Sequence, residues 1–212
     1  MTNRIFPLHK RNSLHYRANY RGIHLTSQIS KAAERFIGNV FVPFLETSIA
    51  YGPNQFAYLK GRGARDPLAC YTLSWLSAFN RGMKVVMYCS DVKGAFDRVA
   101  AARLEVKLHA CGLHPQICKL LRSWLGVRKA NVIVDGQQSS DMILQDQVFQ
   151  GTVWGRALRN TFYQDARLPV NMCGFNEIVF ADDLNCSQSY PLRTSSALID
   201  EDSRECPTSL HI

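Results

Sequence analysis

The sequence lacks the cysteine patterns that mark disulfide frameworks and zinc sites. Its seven cysteines are odd in number and scattered, and no Cys-x-x-Cys pair occurs among the 212 residues. No stretch approaches the roughly 20 apolar residues that cross a membrane, and no apolar run near Met1 resembles a signal peptide. These absences predict a protein of a reducing compartment, cytoplasmic or nuclear, without a membrane partner.

Acidic residues are the scarcer charged group. Asp and Glu number 17 against 25 Lys and Arg, which gives a formal net charge of +8. Such an excess suits a polyanionic partner such as nucleic acid or an acidic membrane, although an ordinary basic enzyme has the same balance. Hydrophobic residues make up 46% of the chain, which is enough for one sizeable core or two small lobes.

Apolar periodicity predicts separate helices and hairpins, and therefore an α+β fold. Ser27 or Ser30 is expected to cap the first helix, and Leu68, Leu73 and Leu76, with Tyr71, are expected to pack in the second. Helices are predicted over residues 26–45, 66–79, 99–111, 115–125 and 153–166. Strands are predicted over residues 84–90, 129–134, 138–145, 177–180 and 184–187.

Carboxylates follow or interrupt apolar strands at two places. A short apolar run ends at Asp91, and segment 178–184 (Ile-Val-Phe-Ala-Asp-Asp-Leu) contains the adjacent pair Asp182 and Asp183. Taken singly, Asp91 could cap the following turn, and the pair could simply form a hairpin turn. Together, three carboxylates at neighbouring strand ends can hold two Mg²⁺ ions. Two such ions serve phosphoryl or nucleotidyl transfer.

Five segments occur in an order that resembles a known family. They are 19–25 (Asn-Tyr-Arg-Gly-Ile-His-Leu), 55–62 (Gln-Phe-Ala-Tyr-Leu-Lys-Gly-Arg), 91–97 (Asp-x-x-x-Ala-Phe-Asp), 149–155 (Phe-Gln-Gly-Thr-Val-Trp-Gly) and 180–183 (Phe-Ala-Asp-Asp). The series resembles reverse transcriptases of non-LTR (LINE-type) retrotransposons over roughly residues 8 to 190. The resemblance implies the fingers and palm of a right-hand polymerase, an antiparallel sheet with packed helices, without its thumb. Fingers would cover 1–83 and 125–150, and palm 84–124 and 151–212.

The resemblance also implies a reaction and its metal ligands. The domain would be an RNA-directed DNA polymerase that transfers a nucleotide from a dNTP to a primer 3′-hydroxyl on an RNA or DNA template. Asp91, Asp182, Asp183 and the backbone carbonyl of Val92 would bind two Mg²⁺ ions, or Mn²⁺ in their place. Asp97 matches a family position and is expected to be structural.

Five further residues would bind the nucleotide. By the resemblance, Phe96 would be a steric gate against a ribose 2′-hydroxyl. Gln150 and Gly151 would lie beside the incoming nucleotide, and Arg21 and Lys10 would face its triphosphate. The structural alternatives are a core aromatic for Phe96, a turn before a helix for the Gln-Gly pair, and a solvated basic segment for the two cations.

Template phosphates would be contacted by Lys60, Arg62 and Arg65, which are otherwise ordinary surface charges. Several positions depart from the family pattern: Gly22 and Arg156 stand where Pro is usual, and Ala57 replaces a Gly. A last helix is expected from about residue 200, with Pro207 interrupting it.

These departures and the expected truncation keep an alternative open, an inactive retroelement remnant that at most binds nucleic acid. An unrelated Mg²⁺-dependent phosphohydrolase is a third interpretation. It is disfavoured because such enzymes usually place a second Asp where this chain has Lys93.

Overall fold

The computed structural model describes residues 2–47, 50–92, 94–144 and 147–205, without the side chains of Thr2, Ser203 and Glu205. The strands in these ranges are β1 (Thr2–His9), β2 (Tyr20–Leu25), β3 (Met83–Asp91), β4 (Arg128–Val134), β5 (Gln137–Gln138), β6 (Met142–Leu144), β7 (Asn176–Phe180) and β8 (Asp183–Pro191). The α-helices are α1 (Gln28–Thr47), α2 (Arg65–Asn80), α3 (Ala101–Ala110), α4 (Pro115–Leu125), α5 (Gly155–Tyr163), α6 (Leu168–Met172) and α7 (Ser196–Glu205). Among these helices, none combines the length and apolar character needed to span a membrane.

The predicted α+β class is confirmed, and most predicted elements are present. Ser27 caps α1, because its Oγ accepts the amide of Ser30 at 3.0 Å. The helix expected over 153–166 is shorter, since α5 gives way to a 3-10 helix at Gln164–Arg167. The strand expected over 138–145 is divided into β5 and β6, and its last residue lies outside the described ranges, as does Pro207.

The chain divides into two compact units, each built from two separated stretches. Unit 1 contains Met1–Ala50 and Gly94–Phe162, and unit 2 contains Tyr51–Lys93 and Tyr163–Ile212. The predicted fingers and palm limits do not coincide with these units. Residues 51–83 fall in unit 2, whereas residues 94–124 and 151–162 fall in unit 1. The naming of fingers and palm therefore stays a prediction.

Unit 1 contains a mixed sheet. Its strand order is β2-β1-β4-β5, and β6 also pairs with β4. β1 runs antiparallel to β2 and parallel to β4. Leucines of α1, α3 and α4 form much of the buried core, together with aromatic residues. The most deeply buried of these residues include Phe41, Leu45, Leu104, Leu108, Leu121 and Phe149.

Helix α1 buries a different face from the one its apolar residues suggest. Apolar Ile29, Phe36 and Val40 are all exposed, with 83% of the Ile29 surface accessible. The buried residues recur every three or four positions, as one helix face requires. They are Glu34, Gly38, Phe41 and Leu45. A charged residue thus lies in the buried face of this helix.

Unit 2 contains an antiparallel sheet of order β3-β8-β7. β3 pairs with β8 along its whole length, from Met83 opposite Pro191 to Asp91 opposite Asp183. This pairing explains why β8 continues beyond the predicted strand 184–187. A cluster of Val170, Phe175, Leu184 and Cys186 is buried within this unit.

One packing prediction in unit 2 is wrong. Leu68, Leu73 and Leu76 of α2 are exposed, and of the four residues named only Tyr71 is buried. Apolar residues lie all round α2, so their spacing alone does not identify the packed face.

Candidate active site

Two carboxylates are placed side by side at one end of the unit 2 sheet. Asp91, the last residue of β3, lies directly opposite Asp183, the first residue of β8. Opposed residues in an antiparallel pair project from the same face, with Cβ atoms about 4.5–5.5 Å apart. The side chains of Asp91 and Asp183 are both exposed. Strand register therefore produces a local concentration of negative charge that solvent can reach.

The third carboxylate lies in the turn between β7 and β8. Phe180 pairs with Asp183, so Ala181 and Asp182 form a two-residue loop. Ala181 has a φ of 56°, whereas Asp182 is not among the positive-φ residues. This pattern of φ signs matches a type II′ hairpin turn, which prefers Gly at its first central position. An alanine thus occupies a backbone conformation that favours glycine.

A backbone hydrogen bond ties this turn to the end of β3. The amide of Val92 donates to the carbonyl of Asp182 at 3.0 Å. The residue after Asp91 is therefore bonded to the residue before Asp183. All three carboxylates belong to one short stretch of connected backbone.

The described residues do not contain three or more His, Cys, Asp or Glu side chains grouped so as to hold a metal ion. The joint binding of metal by all three carboxylates therefore stays a prediction. Like-charged carboxylates repel one another unless a cation lies between them. The donors present are carboxylate and carbonyl oxygens, which are the ligands that Mg²⁺ prefers. The residues fit a magnesium site in chemistry and backbone placement.

A buried glutamine contacts the turn. Gln55 is 5% exposed, and its Oε1 accepts the amides of Ala57 at 2.9 Å and Ala181 at 3.3 Å. Gln55 was not among the predicted site residues, although it begins one of the five family segments. A sequence signal for its role does exist, because a Gln among aromatic and small residues needs a polar partner once buried.

Arg62 supports the segment that carries this glutamine. Its Nη1 donates to the carbonyls of Pro53 at 3.1 Å and Gln55 at 2.8 Å, and its guanidinium lies 5.2 Å from the centre of the Phe56 ring. Lys60 and Arg65 are exposed, as is much of Arg62. Contact of these three cations with nucleic acid stays a prediction.

The predicted nucleotide-binding residues other than Val92 belong to unit 1. Gly151 has a φ of 105°, and a Cβ atom there would lie 3.2 Å from the carbonyl oxygen of His24. Gln150 beside it is half-buried. Phe96 is also half-buried, and its carbonyl accepts the amide of Val148 at 2.9 Å. Phe96 is thus hydrogen-bonded to the short segment that leads directly into Gln150 and Gly151.

The two predicted phosphate-binding cations lie on the hairpin of β1 and β2. Arg21 is exposed and lies opposite Leu8. Lys10 is exposed just beyond β1, where its amide donates to the carbonyl of Asn19 at 2.8 Å. Both side chains are therefore accessible to an anion.

Glu34 holds the segment that follows Gly151. Its carboxylate accepts the amide of Val153 at 2.7 Å and the indole N–H of Trp124 at 3.2 Å. Its backbone carbonyl accepts the indole N–H of Trp154. Glu34 was also absent from the predicted residues, because the apolar residues of α1 indicate a different buried face.

Aromatic stacking also fixes the Gln-Gly loop. The His24 ring stacks on Phe149 with centroids 4.5 Å apart, and the Arg128 guanidinium lies 4.5 Å from the Phe149 ring and 4.2 Å from the Trp124 ring. Burial lowers the pKa of Arg128 to about 10, although Glu34 opposes the shift. Burial likewise lowers the pKa of His24. The charge of Asp97 opposes this shift, and the charge of Arg128 adds to it.

Comparison with known proteins identifies the class. Residues 8–198 match the family model described as reverse transcriptase (RNA-dependent DNA polymerase). The match covers most of the chain, so this protein belongs to the reverse transcriptase family. Members of that family generally use divalent metal ions.

The relatives confirm the predicted non-LTR type. The RNA-directed DNA polymerase from mobile element jockey of Drosophila funebris is 29% identical over 171 residues, which is 78% of this chain and 19% of the relative. The probable RNA-directed DNA polymerase from transposon BS of Drosophila melanogaster is 28% identical over 151 residues, 71% of this chain and 17% of the relative. The chain thus spans about a fifth of the length of these curated relatives.

Solved structures confirm the fold. Telomerase from Candida albicans, in complex with a TWJ fragment of telomeric RNA, superposes with a TM-score of 0.64 at 14% identity, covering 96% of this chain and 39% of the telomerase. Apo telomerase from Candida tropicalis, truncated from its C-terminal domain, gives a TM-score of 0.62 at 11% identity, covering 96% of this chain and 46% of that chain. At these identities the likeness shows the reverse transcriptase fold alone.

Proposed function

We propose that this chain carries the catalytic centre of an RNA-directed DNA polymerase. The reaction joins the α-phosphorus of a dNTP to the 3′-oxygen of a primer and releases pyrophosphate. The observation that carries the proposal is the placing of Asp91 opposite Asp183, with Asp182 in the adjoining turn. This arrangement occurs in a chain whose family is defined by that activity.

Asp91, Asp182, Asp183 and the carbonyl oxygen of Val92 would hold two divalent cations, Mg²⁺ or Mn²⁺. Bound there, the cations would favour ionisation of the primer hydroxyl and neutralise charge on the departing pyrophosphate. The protein's own part is to place the ligands. The β3–β8 register sets Asp91 against Asp183, and the bond from Val92 to Asp182 fixes the turn beside them.

Nucleotide recognition is proposed for the unit 1 residues. The Phe96 ring would occupy the space of a ribose 2′-hydroxyl and so favour deoxynucleotides. Gly151 would let the backbone approach the nucleotide, because it has no side chain, and Gln150 would lie beside it. The exposed cations Arg21 and Lys10 would neutralise the triphosphate.

Template and primer would be held through their phosphates. The net charge of +8 favours this, and Lys60, Arg62 and Arg65 provide cations in unit 2 that solvent can reach. Affinity from phosphate contacts of this kind falls as the salt concentration rises.

Primer extension on an RNA template tests the proposal. Wild type should extend a DNA primer with dNTPs and Mg²⁺, and Asp182→Ala should abolish extension while RNA binding persists. Asp135→Asn is a matched control, because it also removes one negative charge and Asn tolerates the φ of 48° found there. Wild-type protein that binds RNA yet extends no primer would support a nucleic-acid-binding remnant and overturn the proposal.

A further inference from the structure

We infer that Gln55 is a positioning residue, which holds the turn carrying Asp182 in the geometry that metal binding needs. The inference rests on the proposed function, because it assigns Gln55 a part in that same metal site. Its basis is the contact of the Gln55 side chain with the backbone of Ala181, the residue before the acidic pair.

The backbone of the turn is strained at Ala181. Ala181 adopts a φ of 56°, where the Cβ of an L-residue crowds the following carbonyl. Such conformations persist at functional sites when the surrounding structure holds them. The hydrogen bond from the Ala181 amide to Gln55 fixes the peptide plane at the start of the turn, so relaxation that moves this plane would break the bond.

The acceptor on Gln55 is defined by its two donors. A side-chain amide nitrogen cannot accept a hydrogen bond, so only Oε1 can serve the N–H groups of Ala57 and Ala181. Ala57 and Ala181 are both buried. Loss of this oxygen would remove the acceptor of the buried Ala181 amide, and the turn could re-pair that donor only by moving.

The residues before and after Gln55 are themselves held by backbone hydrogen bonds. Residues 54–56 lie along the outer edge of β7, where the amide of Val179 donates to Asn54 at 2.9 Å and the amide of Phe56 donates to Val179 at 2.9 Å. Arg62 adds its hydrogen bond to the carbonyl of Gln55. Because the backbone of Gln55 is fixed, the position of its side-chain oxygen is restricted. The Gln55 side chain therefore supports the turn rigidly.

The support extends from Ala181 to the metal ligands. Asp182 follows Ala181 directly, and its carbonyl is bonded to the amide of Val92, next to Asp91. A turn that relaxes at Ala181 would therefore displace Asp182 relative to Asp91. Loss of a residue that orients metal ligands typically weakens metal binding about 10- to 100-fold.

Mn²⁺ titration followed by electron paramagnetic resonance measures the effect directly. Gln55→Leu should weaken Mn²⁺ binding roughly 10- to 100-fold, and Gln55→Glu should largely preserve it, because a carboxylate oxygen still accepts both amides. Gln188→Leu is the matched control, since Gln188 is a half-buried glutamine of the same sheet whose Oε1 has no hydrogen-bond partner in the described part of the chain.

The Ala181→Gly variant separates positioning from general stability. Glycine adopts a positive φ without strain, so Ala181→Gly should restore much of the Mn²⁺ affinity that Gln55→Leu loses. In urea unfolding without metal, Gln55→Leu and Ala181→Gly should be coupled, with Gln55→Leu less harmful when residue 181 is Gly.

The outcomes distinguish the two ideas. A folded Gln55→Leu variant that binds Mn²⁺ as tightly as wild type overturns the inference, as does a lack of rescue or coupling by Ala181→Gly. If wild type binds no Mn²⁺ while the unfolding cycle shows coupling, the proposed metal site fails and Gln55 keeps its part in holding the turn.

Discussion

Asp91 lies directly across the β3–β8 pair from Asp183, so the strand register alone brings two negative charges together at the end of the sheet. Like charges in directly opposed positions destabilise a sheet. The repulsion between the two carboxylates is thus unfavourable, and a cation bound between them would relieve it. The same pair should therefore govern both the stability of the metal-free protein and its response to metal.

Asp91→Asn should raise the stability of the metal-free protein and remove its stabilisation by Mg²⁺. The gain is expected to be roughly half a kcal/mol or less, because the side chains are exposed. Wild type should melt higher as Mg²⁺ is added, since a cation that binds only the folded state stabilises it. Calorimetry with and without Mg²⁺ measures both effects. An Asp91→Asn variant that still gains stability from Mg²⁺ would argue against the site, and Asp135→Asn should behave as wild type.

Phe96→Val should relax the preference for deoxynucleotides over ribonucleotides by roughly 10-fold or more, because a smaller side chain leaves room for a hydroxyl. Incorporation of one dNTP and its matching rNTP, compared in single-nucleotide extension, gives the ratio. Phe175→Val serves as the control, since Phe175 belongs to the buried cluster of unit 2. A large loss of stability with an unchanged ratio would identify Phe96 as a core aromatic.

Gly151→Ala should destabilise the protein by about 1–3 kcal/mol, because alanine is strained at a φ of 105° and its Cβ would press on the His24 carbonyl. It should also raise the KM for dNTP. The matched control is Gly136→Ala, where φ is 77° and, chain neighbours aside, no atom of the described residues lies within 4 Å of the added Cβ. Denaturant unfolding and extension kinetics provide the two readouts. Equal KM values in the two variants would remove Gly151 from the nucleotide site.

Stability should fall as the pH drops below about 6.5, and His24→Phe should remove part of that fall. Burial holds the pKa of His24 below its ordinary value of 6.5. The unfolded chain therefore binds a proton that the folded chain does not, and acid favours unfolding. The contribution of His24 to the free energy of unfolding is complete above pH 6.5. It is lost as the pH falls from 6.5 towards the lower pKa that His24 has in the folded chain. Urea unfolding between pH 8 and 5.5 tests this, with His15→Gln in the exposed loop as control. An unchanged slope in His24→Phe would contradict the assignment.

Glu34→Leu should lower the free energy of unfolding by roughly 3 kcal/mol, because it leaves the amide of Val153 and the indole of Trp124 without an acceptor. Glu34→Gln should cost less, since its amide oxygen still accepts one of the two donors. Urea unfolding followed by tryptophan fluorescence measures both variants. If both variants cost the same, the carboxylate is not the group that holds this loop.

Helix limits were predictable where a local signal marks them. The helix predicted over 115–125 is α4 without any shift, because Pro115 suits a first turn and His114 accepts the amide of Gln116. The strand ends near Asp91 and Asp183 were predictable for the same reason, since apolar runs stop there. The exact opposition of these two carboxylates was not, because it depends on the register between β3 and β8.

Other features depend on contacts between distant residues, which spacing alone does not reveal. The exposed leucines of α2 show that the apolar character of a side chain does not by itself tell whether it is buried or what it packs against. The second hairpin strand is interrupted at Ser139, whose hydroxyl accepts the amide of Val132 in place of a backbone carbonyl. Gln55 and Glu34 were missed for a similar reason, because each bonds to residues far along the chain, Gln55 to Ala181 and Glu34 to Trp124 and Val153.

The parallel pairing of β1 with β4 has a consequence for biosynthesis. Thr2 to Ile5 must pair with Lys129 to Val132, so one edge of the β1–β2 hairpin leaves the ribosome long before its partner strand β4 exists. Pairing over such a sequence separation is slow, and an open strand edge is prone to aggregate meanwhile. We therefore expect nascent chains of this protein to rely on chaperones until β4 has been translated.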